Sequence, residues 1–159
     1  MPPAAVIGGG PSGLMAAETL LNQGLTVDLF EAKPSVGRKF LMAGKSGLNL
    51  THAESFDKFL NRFEKDQLKL APFIKHLPPV AIRKWVEDLG IETFEGTSQR
   101  IFPKVMKASP LLRNWLRRLE KLGLKIHLKH KWIGLSNDLQ LKFSTPTGNF
   151  LSNHDVKIF

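Results

Sequence analysis

The chain of 159 residues contains no cysteine, which excludes disulfides, thiolate metal sites and a cysteine redox pair. No apolar run approaches the roughly 20 residues that a membrane-spanning helix needs. The segment Met1-Pro2-Pro3 is not a basic region followed by an apolar stretch, so it does not look like a secretory signal. We therefore expect a folded domain with no membrane span and, by default, a cytoplasmic location.

Acidic residues are scarce, because 14 Asp and Glu stand against 23 Lys and Arg and give a formal net charge of +9. Nucleic-acid binding is one interpretation of this excess. The alternative is a set of solvated helix faces together with attraction for an anionic cofactor. The basic residues are spread through segments of helical periodicity, and the sequence contains no recognised nucleic-acid-binding module. We favour the second interpretation and expect no nucleic-acid partner.

A glycine-rich turn follows the short apolar run Ala4-Ala5-Val6-Ile7. Gly8, Gly10 and Gly13 stand in the G-x-G-x-x-G spacing. Gly8 would allow the tight turn, Gly10 would let a pyrophosphate approach the backbone, and Gly13 would let a helix pack close to the strand. Free N–H groups at the start of that helix would face the phosphates, where the helix dipole favours negative charge.

An acidic residue, Glu31, closes the next apolar run, Thr26-Val27-Asp28-Leu29-Phe30. Its carboxylate would accept hydrogen bonds from ribose hydroxyls and would repel a 2′-phosphate, which disfavours NADP in this site. Gly24 stands where the intervening helix should stop. Strand, turn, helix, strand and acidic end arrive in order, so the sequence predicts a site for the ADP half of a dinucleotide. A structural βαβ turn without a ligand is the alternative, and the motif alone does not choose between FAD and NAD.

Outside the βαβ unit, the periodicity predicts further helices and a small β-meander. Ser109, a good N-cap, and Pro110 begin an amphipathic helix with an apolar face that includes Trp115 and Leu119. The other segments are predicted as a long loop with one short helix at 32–51, helices at 55–70 and 80–89, a strand at 91–94, a loop at 99–107, and strands at 125–133, 139–143 and 156–159.

Three segments together resemble the BaiN/RdsA-type (YhiN-like) family of flavoproteins. The most specific is Pro34-Ser35-Val36-Gly37-Arg38-Lys39-Phe40-Leu41-Met42-Ala43-Gly44-Lys45-Ser46-Gly47-Leu48-Asn49-Leu50-Thr51-His52, because no generic fold rule demands it. The opening from Val6 to Ala17 and the block Arg100-Ile101-Phe102-Pro103-Lys104 with Met106-Lys107-Ala108-Ser109-Pro110 also look like that family. The resemblance covers most of the chain up to about Gly148.

The resemblance implies an α/β fold of the two-dinucleotide-binding class, with a Rossmann-like FAD-binding βαβ unit, and an oxidoreductase whose flavin is reduced by NAD(P)H. It places Arg38 and Lys39 near the phosphates or ribose, where cations offset charge, and Asn49 near the ribityl or flavin region. The strand at Trp132 would offer backbone groups to the adenine. The implied cofactor-binding residues are Gly8, Gly10, Pro11, Ser12, Gly13, Glu31, Ala32, Lys33, Arg38, Lys39, Asn49 and Trp132.

Members of the family are considerably longer than this chain. We therefore expect a truncated FAD/NAD(P)-binding domain at residues 1–148, a divergent tail at 149–159, and no substrate domain. An incomplete sheet would expose an edge through which the chain could self-associate. The sequence hypothesis is an FAD-binding oxidoreductase, here as an N-terminal part, and the alternative is a nucleotide-binding remnant without turnover.

No catalytic residue and no metal ligand are assigned from the sequence. Ser12 and Ser46 have no accompanying base, and flavin chemistry needs no protein nucleophile. His52 could act as an acid or base, but a surface or hydrogen-bonding role is the more common one. His127 and His130 are three apart in a predicted strand, so we expect them on opposite faces and not as a metal pair. The substrate is not specified.

Overall fold

The computed structural model describes residues 3–45 and 47–159; Met1, Pro2 and Ser46, which the sequence predictions mention, lie outside the described residues. The elements are, in chain order, β1 Pro3–Ile7, α1 Pro11–Asn22, β2 Thr26–Glu31, α2 Arg38–Ala43, β3 Thr51–His52, α3 Phe56–Asn61, a 3-10 turn Glu64–Asp66, α4 Gln67–His76, α5 Pro79–Asp88, β4 Thr93–Glu95, β5 Arg100–Pro103, α6 Ala108–Lys121, β6 Lys125–Leu128, β7 Lys131–Leu135, β8 Leu141–Thr145, β9 Gly148–Ser152 and β10 Val156–Ile158.

A four-stranded parallel sheet with the order β10-β1-β2-β6 forms the base of one compact unit, residues 3–40 and 115–159. The residues Ala4, Ala5 and Val6 of β1 are fully buried, as expected for a central parallel strand that is covered on both faces. The predicted βαβ unit is present, and the α/β Rossmann-like fold class is confirmed.

The two faces of this sheet are covered by different elements. On one face, Phe30 and Ala5 pack with Leu141 and Phe143 of β8 in a single core cluster. The strands β7, β8 and β9 form a three-stranded antiparallel meander, as the sequence predicted. On the other face, α1 buries Leu14, Ala17 and Leu21. Gly24, at a φ of +83°, ends α1 with a bond from its N–H to the Leu21 carbonyl (2.9 Å).

Helix α1 is tied to α6 through a buried carboxylate, Glu18. Its Oε2 accepts the indole N–H of Trp115 (2.7 Å), and its Oε1 accepts a guanidinium N–H of Arg118 (3.1 Å). Trp115 is almost fully buried, so its N–H has no access to water as an alternative partner. The pairing satisfies two buried polar groups on helices that lie 97 residues apart in sequence.

The second compact unit, residues 41–114, contains a three-stranded antiparallel sheet with the order β3-β5-β4 and the helices α3, α4 and α5. Its core includes Val86, Ile101, Leu111 and Leu112. The side-chain amide of Asn114 donates to the Leu89 carbonyl (2.9 Å), which satisfies a carbonyl at the end of α5.

The structure differs from the sequence predictions in several places. The loop predicted at 99–107 contains β5, and α6 begins at Ala108, one residue before the expected N-cap Ser109. The helix predicted at 55–70 is interrupted, because α3 ends at Asn61 and α4 begins at Gln67. The strand predicted at 125–133 is two strands, separated at Lys129, where φ is +59°.

The break at Lys129 changes the relation between two histidines. A continuous strand would have placed His127 and His130 on opposite faces. Because the chain turns between them, their ring centroids lie 5.6 Å apart, and both rings contact Phe30. The prediction of opposite faces is therefore wrong.

The C-terminal segment 149–159 contributes to the meander and to the parallel sheet. Strand β9 completes the meander, and β10, predicted as a strand at 156–159, pairs with β1 in the register Ala4↔Val156 to Val6↔Ile158. The proposed boundary after Gly148 stays a prediction. Within residues 3–45 and 47–159, the structure contains no helix with the length and apolarity that a bilayer span requires.

Replacement of Glu18 by Ala should lower the free energy of unfolding by about 2 kcal/mol, because the buried Trp115 indole and the Arg118 guanidinium lose their acceptor. Glu18→Gln should lose less, since its amide oxygen still accepts one N–H. Urea unfolding curves of the three proteins measure the difference. Equal stability of Glu18→Ala and the parent protein would contradict this role.

Candidate dinucleotide-binding site

The glycine turn joins the end of β1 to the start of α1 in a conformation that ordinary side chains would prevent. Gly8 has a φ of +104°, a region that L-residues with a Cβ rarely adopt. A Cβ on Gly13 would collide with the carbonyl oxygen of Gly8, so only glycine lets α1 approach β1 this closely. These are the roles that the sequence predicted for Gly8 and Gly13.

Glu31, at the end of β2, lies directly beside this turn. Its Oε2 accepts the backbone N–H of Gly9 (2.7 Å), and its Oε1 accepts the backbone N–H of Lys33 (2.7 Å). Two backbone bonds hold the same region, one from the Gly8 N–H to the Phe30 carbonyl (2.8 Å) and one from the Gly37 N–H to the Gly9 carbonyl (2.7 Å). The carboxylate is therefore fixed in position, and its remaining lone pairs are available to other donors.

A pocket of about 350 Å³ opens beside the turn. Five of its lining residues come from the turn and the first residues of α1, and Lys39 of α2 contributes a cationic side chain. The residues that line it are Val6, Ile7, Gly8, Gly10, Pro11, Ser12, Gly13, Ala16, Lys39, Ile158 and Phe159. Six of the residues predicted for the cofactor thus lie around one cavity at the carboxyl end of β1.

The residues at this pocket fit a diphosphate. A Cβ placed on Gly10 would meet no atom within 4 Å, so the space above its backbone is open. Pro11 occupies the first turn of α1, and no side chain caps that end of the helix. The N–H groups of Ser12 and Gly13 belong to the first turn and have no carbonyl partner within the helix. Uncapped donors, a positive dipole end and open space are the features that an anion site requires.

The other residues predicted for the cofactor lie around the turn or elsewhere on the chain. Ala32, Lys33 and Arg38 are exposed in and after the segment that follows β2. Trp132 lies on β7, where its ring centroid is 4.8 Å from that of Phe159. Asn49 is exposed in the second compact unit, before β3.

Sequence reasoning missed several residues at this site. Gly9 and Val36 pack together so closely that a Cβ on Gly9 would collide with the Val36 side chain. Ile158 and Phe159 line the pocket from β10 and the residue after it. The apolar pattern at 156–159 indicated a strand, but nothing in the local sequence indicated that this strand lies beside β1.

Comparison with known protein families now adds to the geometry. The sequence matches the family model described as "HI0933-like protein Rossmann domain" over residues 2–157. The chain belongs to this HI0933-like family. The resemblance to BaiN/RdsA-type flavoproteins is thereby confirmed, and the match extends into the segment 149–157, which the sequence analysis had set apart. A search of curated proteins found no match.

Solved structures share the fold of this HI0933-like chain. The open conformation of a flavocytochrome c3 fumarate reductase aligns with 98% of this chain, and the alignment covers 32% of the reductase chain, with 16% sequence identity and a TM-score of 0.74. The 3-ketosteroid-Δ4-(5α)-dehydrogenase of Rhodococcus jostii RHA1 aligns with 95% of this chain over 43% of the dehydrogenase chain, with 13% identity and a TM-score of 0.70. THI4 of Thermovibrio ammonificans aligns with 98% of this chain over 55% of the THI4 chain, with 15% identity and a TM-score of 0.63.

The HI0933-like chain therefore has the Rossmann fold of FAD-binding oxidoreductases. It spans between about a third and just over half of the length of these three structures. At identities below 25% the likeness concerns the fold alone.

A second pocket, of about 240 Å³, lies in the unit 41–114 and includes His52, Glu54 and Arg83 among its lining residues. His52 Nδ1 lies 3.8 Å from Glu54 Oε1, and the same carboxylate is paired with the guanidinium of Arg62. This pairing lowers the pKa of Glu54. Among the described residues, His52 Nδ1 is buried without a hydrogen-bond partner. The catalytic role considered for His52 stays a prediction.

Asp28, in the middle of β2, joins two histidines from different parts of the chain. Its Oδ1 accepts the Nε2–H of His127 (2.6 Å), and its Oδ2 accepts the Nε2–H of His154 (3.1 Å). Burial alone would raise the pKa of Asp28, but the hydrogen bonds and charges of the two imidazoles outweigh it, so the pKa lies below its ordinary value of 3.8.

The lowered pKa of Asp28 predicts a specific loss of stability in acid. Its contribution is fully present above the unfolded pKa and is lost as the pH falls through the lower, folded value, because the unfolded state then binds more protons. Asp28→Asn should remove this part of the pH dependence and flatten the acid limb. Urea midpoints measured from about pH 2 to 6 report the slope. Asp138→Asn, at an exposed turn, is the control, and an unchanged slope in Asp28→Asn would contradict the prediction.

Proposed function

We propose that the protein binds FAD, with the ADP half of the cofactor in the pocket at the glycine turn, and that it acts in an oxidoreductase reaction in which NAD(P)H reduces the flavin. The observation that carries this proposal is the open, uncapped start of α1 directly beside the fixed Glu31 carboxylate. The fold and family, which are those of FAD-binding oxidoreductases, support it.

Positive and negative groups would bind different parts of the ADP half. The N–H groups of Ser12 and Gly13, together with the Lys39 ammonium at the pocket wall, would bind the diphosphate. The Glu31 carboxylate would accept hydrogen bonds from the ribose hydroxyls while keeping those from the N–H groups of Gly9 and Lys33, since a carboxylate offers about four acceptor positions. The same negative charge would reject a 2′-phosphate.

The remaining predicted residues extend the proposal beyond the pocket. Arg38 would lie near the phosphates or ribose, the backbone around Ala32, Lys33 and Trp132 near the adenosine, and Asn49 near the ribityl chain or flavin. Bound FAD supplies the electron-transfer chemistry, and the protein binds and orients it. A cytoplasmic location and self-association through a sheet edge belong to the same proposal, as does the N-terminal-part status of the chain. A nucleotide-binding protein without turnover is the alternative.

Ligand discrimination tests the proposal directly. We expect the purified protein to bind FAD and ADP but not FMN, which lacks the ADP half, and to bind ADP more tightly than its 2′-phosphorylated form. Gly10→Val should weaken FAD binding at least tenfold, because its side chain would fill the space open to the diphosphate. It should leave the melting temperature unchanged, since Gly10 has an ordinary φ of −79° and free space around it. Isothermal titration and flavin fluorescence measure the affinities.

The control for this experiment is Thr147→Val, at the exposed turn between β8 and β9, which should bind FAD as the parent protein does. Full FAD affinity in a folded Gly10→Val protein would contradict the placement of the site. Loss of flavin absorbance near 450 nm on adding NADH or NADPH without air would support the reductase function. FAD binding with no such loss would favour the alternative without turnover.

A further inference from the structure

Part of the wall of the candidate dinucleotide pocket is built by a short edge strand and the residue after it. Ile158 and Phe159 line the pocket, and both belong to β10 or follow it. Strand β10 has three residues, and within the described ranges 3–45 and 47–159 it pairs only with β1, which leaves one of its edges unpaired there. A short edge strand has few backbone bonds to hold it and lies at the low-stability end of a fold. Contacts made from outside the strand therefore contribute to its position at the pocket.

The Phe159 ring packs against that of Trp132, with the centroids 4.8 Å apart. A contact at the other end of the strand is made by His154, which lies in the link between β9 and β10. His154 is 5% exposed, and its Nε2–H donates to Asp28 Oδ2 (3.1 Å) in the middle of β2. On the other side of the ring, Nδ1 lies 3.2 Å from the Ser152 hydroxyl at the end of β9. The ring edge also packs against the Phe30 ring, with the centroids 5.8 Å apart.

The link is fixed at a second point next to His154. The N–H of Asp155 donates to the carbonyl of Pro3 (3.1 Å), at the start of β1. The three residues between β9 and β10 are thus held by one side chain to β2 and by one backbone group to β1. Because β10 begins at the following residue, Val156, both contacts lie directly before the start of the strand.

We propose that the Asp28–His154 pair is a positioning device for the nucleotide site: it anchors the start of β10 and so holds Ile158 and Phe159 at the wall of the pocket. His154 does not touch the pocket itself, since it is not among the lining residues. The part of this inference that concerns nucleotide affinity rests on the proposed function. The part that concerns the anchoring of β10 does not.

The second imidazole on Asp28 offers a matched comparison. His127 donates to the other oxygen of the same carboxylate (2.6 Å), but it lies on β6, at the opposite edge of the sheet from β10. Loss of His127 also removes a histidine bond to Asp28 and a contact with Phe30. If the device acts by anchoring β10, only the loss of His154 should affect β10 and the pocket.

Hydrogen exchange and FAD affinity, measured on the full chain, test the device. In His154→Ala we expect amide exchange in Val156–Ile158 to accelerate about tenfold relative to that in β2, since one charge-assisted bond is lost. The FAD dissociation constant should rise severalfold. His154→Gln, whose amide can still donate to Asp28, should restore most of both properties. His127→Ala should leave β10 exchange, relative to β2, and FAD affinity near those of the parent protein.

The two readouts separate the failures of the two proposals. Unchanged β10 exchange in His154→Ala overturns the positioning device, whatever the FAD result. Faster exchange with unchanged FAD affinity also overturns it, because the wall would then not contribute to binding. Equal effects of His127→Ala and His154→Ala would show a general loss of stability and would overturn the specific role. If the parent protein does not bind FAD, the proposed function fails, and the exchange measurements alone decide whether His154 anchors β10.

Discussion

The bond between the Glu31 carboxylate and the N–H of Gly9 is the contact on which the site depends. It joins the end of β2 to the turn after β1, and the second carboxylate oxygen holds the N–H of Lys33 at the start of the next segment. One side chain thus shapes the turn from outside while leaving acceptor positions free. The carboxylate at this position stabilises the turn through the N–H groups of Gly9 and Lys33, whether or not it also binds a ribose. An acidic residue here is therefore not by itself proof of a ligand.

The glycines of the motif determine the backbone conformation of the same turn. The collision that a Cβ on Gly13 would make with the Gly8 carbonyl, and the positive φ of Gly8, are constraints of the fold. Gly10 is different, because the structure leaves the space above it empty and the backbone there has an ordinary φ. A purely structural turn would not require glycine at this position. Of the motif glycines, Gly10 is therefore the one that distinguishes a binding turn from a structural one.

The parts of the fold that sequence predicts well are those set by neighbours in the chain. The βαβ unit, the stop at Gly24 and the strand at 156–159 follow from local periodicity and glycine, and the structure contains all three. The sequence predicts a loop where β5 forms, because the strand has only four residues, too few for a clear periodicity, and is completed by pairing with β3 and β4. The sequence does not indicate the break at Lys129, because a positive φ at a lysine has no local signature. The pairing of β5 with β3 and of β6 with β2 joins segments that are distant in sequence, and local periodicity does not report such pairing.

The same distinction applies within the candidate site. The turn, Glu31 and Lys39 are found within the first 40 residues, whereas Ile158 and Phe159 reach the pocket only because β10 pairs with β1. No local pattern states that a strand near residue 156 will lie beside a strand near residue 5. The contact that supports this pairing, from His154 to Asp28, spans 126 residues. The candidate pocket is therefore not a property of the βαβ motif alone, since part of its wall depends on packing between distant segments that only the folded chain brings together.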